Sequence, residues 1–323
     1  MDDLREAWER DGYVVLRAAS PTDLIATYDA ELAAERDGLL VRGPGDAHVS
    51  LATQEADRTV GAVDPYALSA AARALLLPPA LVRLVTDLLG GAPLLFDATE
   101  ATAGGPDAGN AYRDATFTAL AAEPETLVAA AVALADGAHL TLFPGSHRLA
   151  TTPFSGRHRA FNPERDGDDA LQRHRAELDA ALGDAPDTIT LEAGDVLLWS
   201  AGLVHTAVAG AALVAHLCPA RVQPAWFAYR PERARLAAHE DGAAWIASQH
   251  YDLLDAVAPE DEPPVGVEDE PELERVEDAL REHDDDNPAA PPTPSAPPSV
   301  AGRRSGGLVD SVRGLMNRRG RGR

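Results

Sequence analysis

Leu140-Thr141-Leu142-Phe143 is a short apolar run that stops at Pro144-Gly145, a pair that forces a tight turn. Ser146 and His147 follow directly. Some forty residues on, the pattern returns. Leu191-Glu192 enters a turn at Ala193-Gly194-Asp195, Val196-Leu197-Leu198-Trp199 resumes as a strand, and His205 opens another short apolar run. Runs this short, punctuated this often, suit strands that fold back on themselves rather than long helices.

The same texture begins at Pro93. Further candidate strands are 93–98, 111–118, 126–134, 139–143, 187–191, 195–199, 204–208 and 211–218, which argues for a sandwich or double-sheet jelly roll. Helices flank them. Gly12 to Leu16 reads as a strand after a short opening helix. Ser20-Pro21-Thr22-Asp23 reads as a helix start, with Ser20 as the cap and Pro21 in the first turn, and the helix runs to about Asp37. Residues 65–90 read as two helices with an apolar stripe at Leu81, Leu84, Val85, Leu88 and Leu89, stopped by Gly90-Gly91. A helix is expected at about 168–183, and helical structure again from Trp226 to about Val257.

Pro144-Gly145-Ser146-His147, then the Asp195-to-Trp199 strand, then His205, resemble the phytanoyl-CoA dioxygenase family of Fe(II)/2-oxoglutarate-dependent oxygenases. Arg10-Asp11-Gly12-Tyr13-Val14-Val15-Leu16 followed by a helix is similar to the start of such chains, so the resemblance runs from there to about Arg230. It implies a double-stranded β-helix (a cupin-like jelly roll), mainly β with flanking helices, over residues 1–258. It further implies a metal held by His-X-Asp from an early strand and a His from a late one, with a basic residue beyond gripping 2-oxoglutarate.

Carried over residue by residue, Asp114 matches the carboxylate and His205 the late histidine, while Tyr112 stands where the family has its first His. A phenol with a pKa near 10 is a poor ligand for Fe(II), and phenolate favours Fe(III). His216 stands near the slot of the basic residue but lacks the bidentate fork of a guanidinium, and Arg221 is the nearest one. Two functions stay open. One is an oxygenase using Fe(II) and 2-oxoglutarate on a small or lipid-like substrate, with Asp114, His205 and Tyr112 on the metal and His216 or Arg221 on the co-substrate. The other is a barrel without turnover or cofactor that binds a small molecule or partner. No residue is singled out as a catalytic acid or base.

Each candidate also has a bland reading. A lone His on an apolar strand, such as His205, is commonly a hydrogen-bonded core residue, and Asp114 beside Arg113 could be a paired carboxylate. His139 reads as a strand histidine and His147 as a hydrogen-bonding turn residue, while His48, His158 and His174 sit in polar stretches and read as surface. Trp199, Phe143 and Phe117 suit either a cavity wall or core. His-X-Asp recurs at His239, His250 and His283, all after His205 and in the wrong strand order.

The net charge of −24 excludes nucleic-acid binding through the main surface, because phosphate would be repelled. All 28 basic residues are Arg, and the single Cys218 rules out a disulfide framework or cysteine-based zinc cluster. The opening Met1-Asp2-Asp3-Leu4-Arg5 lacks the apolar core of a signal peptide, so a cytoplasmic location is expected. Residues 259–302 are acidic and proline-rich and read as a disordered linker. Residues 303–323 carry seven Arg and one Asp, a charge of +6 that leaves −30 on the remainder. Leu308, Val309, Val312, Leu315 and Met316 share one helical face there. A basic amphipathic tail of this kind suits an anionic membrane surface or an acidic partner, and equally a solubilising tail without structure.

Overall fold

The computed structural model describes residues 2–35, 40–42, 48–50, 61–101, 111–120, 123–150, 152–156, 158–182, 186–222, 224 and 236–246. The expected linker and basic tail, with His250 and His283, lie outside them, as does most of the helix expected after Trp226.

In chain order the elements are α1 (Asp2–Asp11), β1 (Tyr13–Leu16), α2 (Asp23–Ala34), β2 (Leu40–Arg42), β3 (His48–Ser50), α3 (Ala70–Leu76), α4 (Pro79–Leu89), β4 (Pro93–Ala101), β5 (Val128–Ala133), β6 (Ala138–Leu142), α5 (Pro163–Asp166), α6 (Asp168–Ala181), β7 (Asp187–Leu191), β8 (Val196–Ser200), β9 (Ala212–Pro219), β10 (Leu236–Ala238) and β11 (Ala244–Ile246). Seven strands form one sheet in the order β1-β8-β5-β9-β4-β11-β10. All its pairings are antiparallel except β11 with β4. β6 and β7 pair antiparallel as a smaller sheet, and β2 with β3 as a separate hairpin.

Side chains alternate across a strand, so a strand buried on both faces must be apolar throughout. β5, Val128-Ala-Ala-Ala-Val-Ala133, meets that demand, and every residue in it is buried. Val128, Ala130 and Val132 pack with Leu198, Leu213 and Leu217 under the apolar sides of α2, α3 and α4. Ala129, Ala131 and Ala133 turn to the other face and pack with Leu140, Leu142 and Leu191 of the smaller sheet, together with Leu197 and Trp199. Isolated bridges Leu142 to His205 and His139 to Ala209 extend that sheet toward the end of β8. The result is a double-stranded β-helix jelly roll, with helices on one face of the large sheet and a second core between the two sheets.

The Pro144-Gly145-Ser146-His147 turn is a clasp between distant parts of the chain. Gly145 N–H donates to Asp11 O at 2.8 Å, tying the turn to the end of α1. Ser146 Oγ accepts 2.8 Å from Val204 N–H, while Arg113 Nη2 donates to Ser146 O at 2.6 Å. Residues flanking both Asp114 and His205 are thereby fixed to one turn.

Several local expectations are corrected. The helix after β1 begins at Asp23 with Thr22 as N-cap, because the Ser20 hydroxyl is drawn away to donate to Leu75 O at 2.8 Å. Residues 111–118 form no ladder. Tyr112 makes one bridge, and the chain then winds into a 3-10 turn at Asp114–Thr116, whose carbonyl of Asp114 accepts from Phe117 and Thr118. Residues 204–208 likewise give only bridge contacts. Beyond Trp226, β10 and β11 stand where helix was expected, since β11 finds the free edge of β4. His174 is buried rather than on the surface, within 3.2 Å of Thr116 Oγ1 through Nε2.

Candidate metal centre

His205 follows the end of β8 and is bridged to Tyr112 by two backbone bonds: Tyr112 N–H donates to His205 O at 2.9 Å, and His205 N–H to Tyr112 O at 3.0 Å. That bridge fixes Asp114 two residues on, and Ala115 N–H, donating to Ala201 O at 2.9 Å, holds the 3-10 turn against the same segment. His216 lies on β9, next to β5, and its alternation faces it away from Leu213, Ala215 and Leu217, which pack on the helices. Three segments thus bring Asp114, His205 and His216 together.

Their distances are definite. Asp114 Oδ1 lies 3.5 Å from His205 Nε2 and 3.5 Å from His216 Nε2. Asp114 Oδ2 accepts from the indole Nε1 of Trp199 at 2.8 Å. His205 and Asp114 are buried, and the His216 side chain is 15% exposed. Burial pushes the Asp114 carboxyl up, but His205 and His216 outweigh it and hold it well below the usual carboxylate range. For His216, burial favours the neutral ring, yet Asp114 and Asp97 prevail and its pKa is pushed up to about 10.

Asp97 is a partner that strand alternation does not predict. β4 pairs with β9 in regular register except for a bulge between Leu95 and Asp97. A bulge sets two residues of one strand opposite one of its partner. Both Phe96 and Asp97 consequently reach His216. The Phe96 ring stacks over the imidazole at 6.2 Å between centroids and 23° between planes, and Asp97 Oδ2 accepts from His216 Nδ1 at 2.9 Å.

The other expected residues are placed as follows. The Tyr112 ring packs on His205, with centroids 4.6 Å apart, and edge-on to Phe117 at 6.2 Å. Arg221 stands about half exposed outside the cluster. Its Nη2 pairs with Glu123 at 2.7 Å and donates to Leu89 O, and its Nη1 donates to Gly90 O, both carbonyls at the end of α4. The structure therefore brings together Asp114, His205 and His216, with Tyr112 beside them, and leaves Arg221 apart. Arg113 turns away from Asp114 into the Ser146–Leu149 turn, where burial lowers its pKa to about 10. The exposed His139 holds Gly137 O through Nδ1 at 3.0 Å, and Trp199 lies in the core between the sheets.

The family model for phytanoyl-CoA dioxygenase (PhyH) matches residues 8–211, well over half of the chain. The chain belongs to this family. Among solved structures, the epimerase SnoN in complex with Fe3+, alpha ketoglutarate and nogalamycin RO is similar at 21% identity, covering 76% of this chain and 98% of that one, with a TM-score of 0.50. EctD from S. alaskensis with bound Fe is similar at 18% identity, covering 68% of this chain and 76% of that one, with a TM-score of 0.48. No curated protein sequence matches the chain. No helix among the described residues is long and apolar enough to cross a membrane.

Asp114 and His205 stand together as the family pattern implies. The third side chain within reach of the carboxylate is His216, whose Nε2 is buried and lacks a hydrogen bond. Two imidazole nitrogens and a carboxylate oxygen are chemically suited to a divalent transition metal. Among the described residues, however, no group of three or more His, Cys, Asp or Glu side chains is set to hold a metal ion.

Proposed function

We propose that this protein binds a small organic molecule in the jelly-roll centre and does not couple 2-oxoglutarate oxidation to hydroxylation. The observation that carries this reading is the environment of His216. The position implied to grip the co-substrate carboxylate holds an imidazole whose two ring nitrogens already face carboxylates, Asp97 at 2.9 Å and Asp114 at 3.5 Å. With that imidazole's own positive charge taken up by both carboxylates, an incoming dicarboxylate would meet a cluster of net negative charge in a poorly solvated place, where such repulsion costs far more than in water. Arg221, the alternative grip, is engaged at the surface with Glu123. Phe96 and Tyr112 line the same place and favour an apolar or aromatic guest over an anionic one.

The oxygenase reading, with a small or lipid-like substrate and Fe(II) and 2-oxoglutarate as cofactors, is supported by the family membership and by the paired Asp114 and His205. One experiment separates the two. Apo-protein is titrated anaerobically with Fe(II) and 2-oxoglutarate, the metal-to-ligand charge-transfer band is followed, and succinate is measured after oxygen is admitted. The binding-protein reading expects neither band nor succinate. A saturable band with stoichiometric succinate, lost in Asp114→Ala and His205→Ala, would establish the oxygenase instead.

A further inference from the structure

Arg113, His174 and Arg175 come together where α6 packs against the segment that carries Asp114. Arg113 is buried, and its Nη2 donates to Ser146 O at 2.6 Å and to Leu149 O at 3.2 Å. His174 on α6 is also buried, with Nε2 3.2 Å from Thr116 Oγ1. Arg175 follows it on the helix and is half-buried. Burial lowers the pKa of the His174 ring, and the charges of Arg113 and Arg175 lower it further, with only the exposed Glu177 acting the other way.

These basic groups gather without a negative partner. Arg113 Nε, His174 Nδ1, and Arg175 Nε and Nη2 are buried and make no hydrogen bond. Neither guanidinium meets a carboxylate among the described residues. Asp114 faces His205 and His216 instead, and Asp166 of α5 is taken up by Arg165 at 2.6 Å, by Ser155 and by the Asn162 N–H. Water can meet a hydrogen bond, but it does not neutralise a desolvated charge, and an unpaired buried charge is costly.

The unbonded atoms also have a shape. Nε and Nη2 lie on one edge of a guanidinium, the fork that takes two oxygens of one anion in parallel bonds. In Arg175 that whole edge is buried and makes no hydrogen bond. A Thr116 hydroxyl donating to His174 Nε2 leaves the proton of the neutral ring on Nδ1, which adds a third donor, and Arg113 Nε adds a fourth. Donors from three separate side chains and two positive charges suit a dianion with several oxygens better than a carboxylate.

We propose that Arg113, His174 and Arg175 bind a phosphate group, between α6 and the segment that carries Asp114. The half-buried Arg175 gives the ion a way in from solvent. Arg113 has extended backbone angles, so its side chain leaves the chain on the side opposite to those of Tyr112 and Asp114. The phosphate site is therefore separate from the jelly-roll centre and independent of what that centre holds. Bound phosphate would tie α6 to the residues on either side of Asp114, since Arg113 precedes it and Thr116 follows it.

The test is calorimetric titration of the full-length protein with inorganic phosphate, phenyl phosphate and benzoate in turn, at about pH 8, where phosphate is a dianion. Chloride holds the ionic strength constant. One phosphate per chain is expected, with benzoate weaker. Arg175→Gln should weaken phosphate binding by about tenfold or more, the scale of losing hydrogen bonds to a charged group. Arg175→Lys keeps the charge without the fork and should fall between Arg175→Gln and the wild type. Arg173→Gln, at an exposed position on the same helix, should leave the affinity unchanged. Phenyl phosphate bound more tightly than phosphate would identify the site as the anchor of an organic phosphate, and equal or weaker binding as a site for the free ion. Circular dichroism separates lost binding from lost fold, and Arg175→Lys serves if Arg175→Gln does not fold. Absence of saturable phosphate binding in the wild type would overturn the proposal, whether or not benzoate binds. Equal losses of affinity in Arg175→Gln and Arg173→Gln would also overturn it, by showing diffuse attraction to the helix surface.

Discussion

The indole Nε1 of Trp199 donates a 2.8 Å hydrogen bond to Oδ2 of Asp114, so a side chain of β8 sets the angle at which the carboxylate meets the two imidazoles. Replacing Trp199 with Phe leaves that oxygen buried without its donor, a loss of about 1–3 kcal/mol, to which the missing ring volume adds. Trp245→Phe provides the comparison, because Trp245 is also buried and packs edge-on against Tyr66. Urea unfolding should show Trp199→Phe as the less stable variant. Equal losses of stability would mean that the hydrogen bond adds nothing beyond packing.

Asp195 holds the turn before β8 to the chain after β1. Its carboxylate accepts from Ala18 N–H at 2.8 Å, from Glu192 N–H at 2.9 Å and from Arg17 Nη1 at 2.6 Å. Burial raises its pKa, but these donors outweigh burial and the net shift is downward. A carboxyl depressed in the folded state contributes stability that is complete above its unfolded pKa of about 4 and is lost as pH falls through the folded value. Wild-type protein should therefore lose stability below about pH 4–5. Asp195→Asn should be less stable at pH 7, and its deficit should shrink as the pH is lowered toward 3. A deficit independent of pH would show that the ionised carboxylate is not the source of the stabilisation.

The jelly roll was legible because its strands are short, apolar and bounded by obligatory turns, and because Pro144-Gly145 and Gly194-Asp195 sit where the chain reverses. Asp114, His205 and His216 could be named for the same reason: each lies at a fixed place in that pattern. What brings Asp97 to His216 could not be read. A bulge shifts a strand by one residue, and Leu94 to Asp97 carries no glycine or proline to mark it. The sequence also misplaced His174, whose neighbours Arg173 and Arg175 suggest solvent although the ring packs against Phe154 with centroids 4.9 Å apart. Residues 111–118 looked like a strand from their Tyr, Phe and Thr content. Bonds from Phe117 and Thr118 to the Asp114 carbonyl closed a turn first.

Gly194 has φ +84°, the left-handed region that costs a residue with a side chain about 1–2 kcal/mol. A Cβ there would also stand 2.6 Å from Ser20 O, the backbone segment to which the turn is docked. Gly194→Ala should lower the midpoint of urea unfolding by more than the dihedral strain alone predicts. An unchanged midpoint would mean that the β1–α2 connection can shift at no cost.

Ser146 joins the clasp to the segment that carries His205. Its hydroxyl accepts from Val204 N–H at 2.8 Å, immediately before His205, and both Ser146 and Val204 are buried. In Ser146→Ala the Val204 N–H loses its partner inside the core, which costs about 1–3 kcal/mol. Thr retains an oxygen at the same position, so Ser146→Thr should recover part of that loss where its extra methyl is accommodated. The segment carrying His205 is also held by Phe143 N–H, which donates to Val204 O at 3.0 Å, and by the Tyr112 bridge. Ser146→Ala should accordingly fold, with a lower midpoint of urea unfolding than the wild type. An unchanged midpoint in Ser146→Ala would show that the bonds to Phe143 and Tyr112 hold this segment without the clasp.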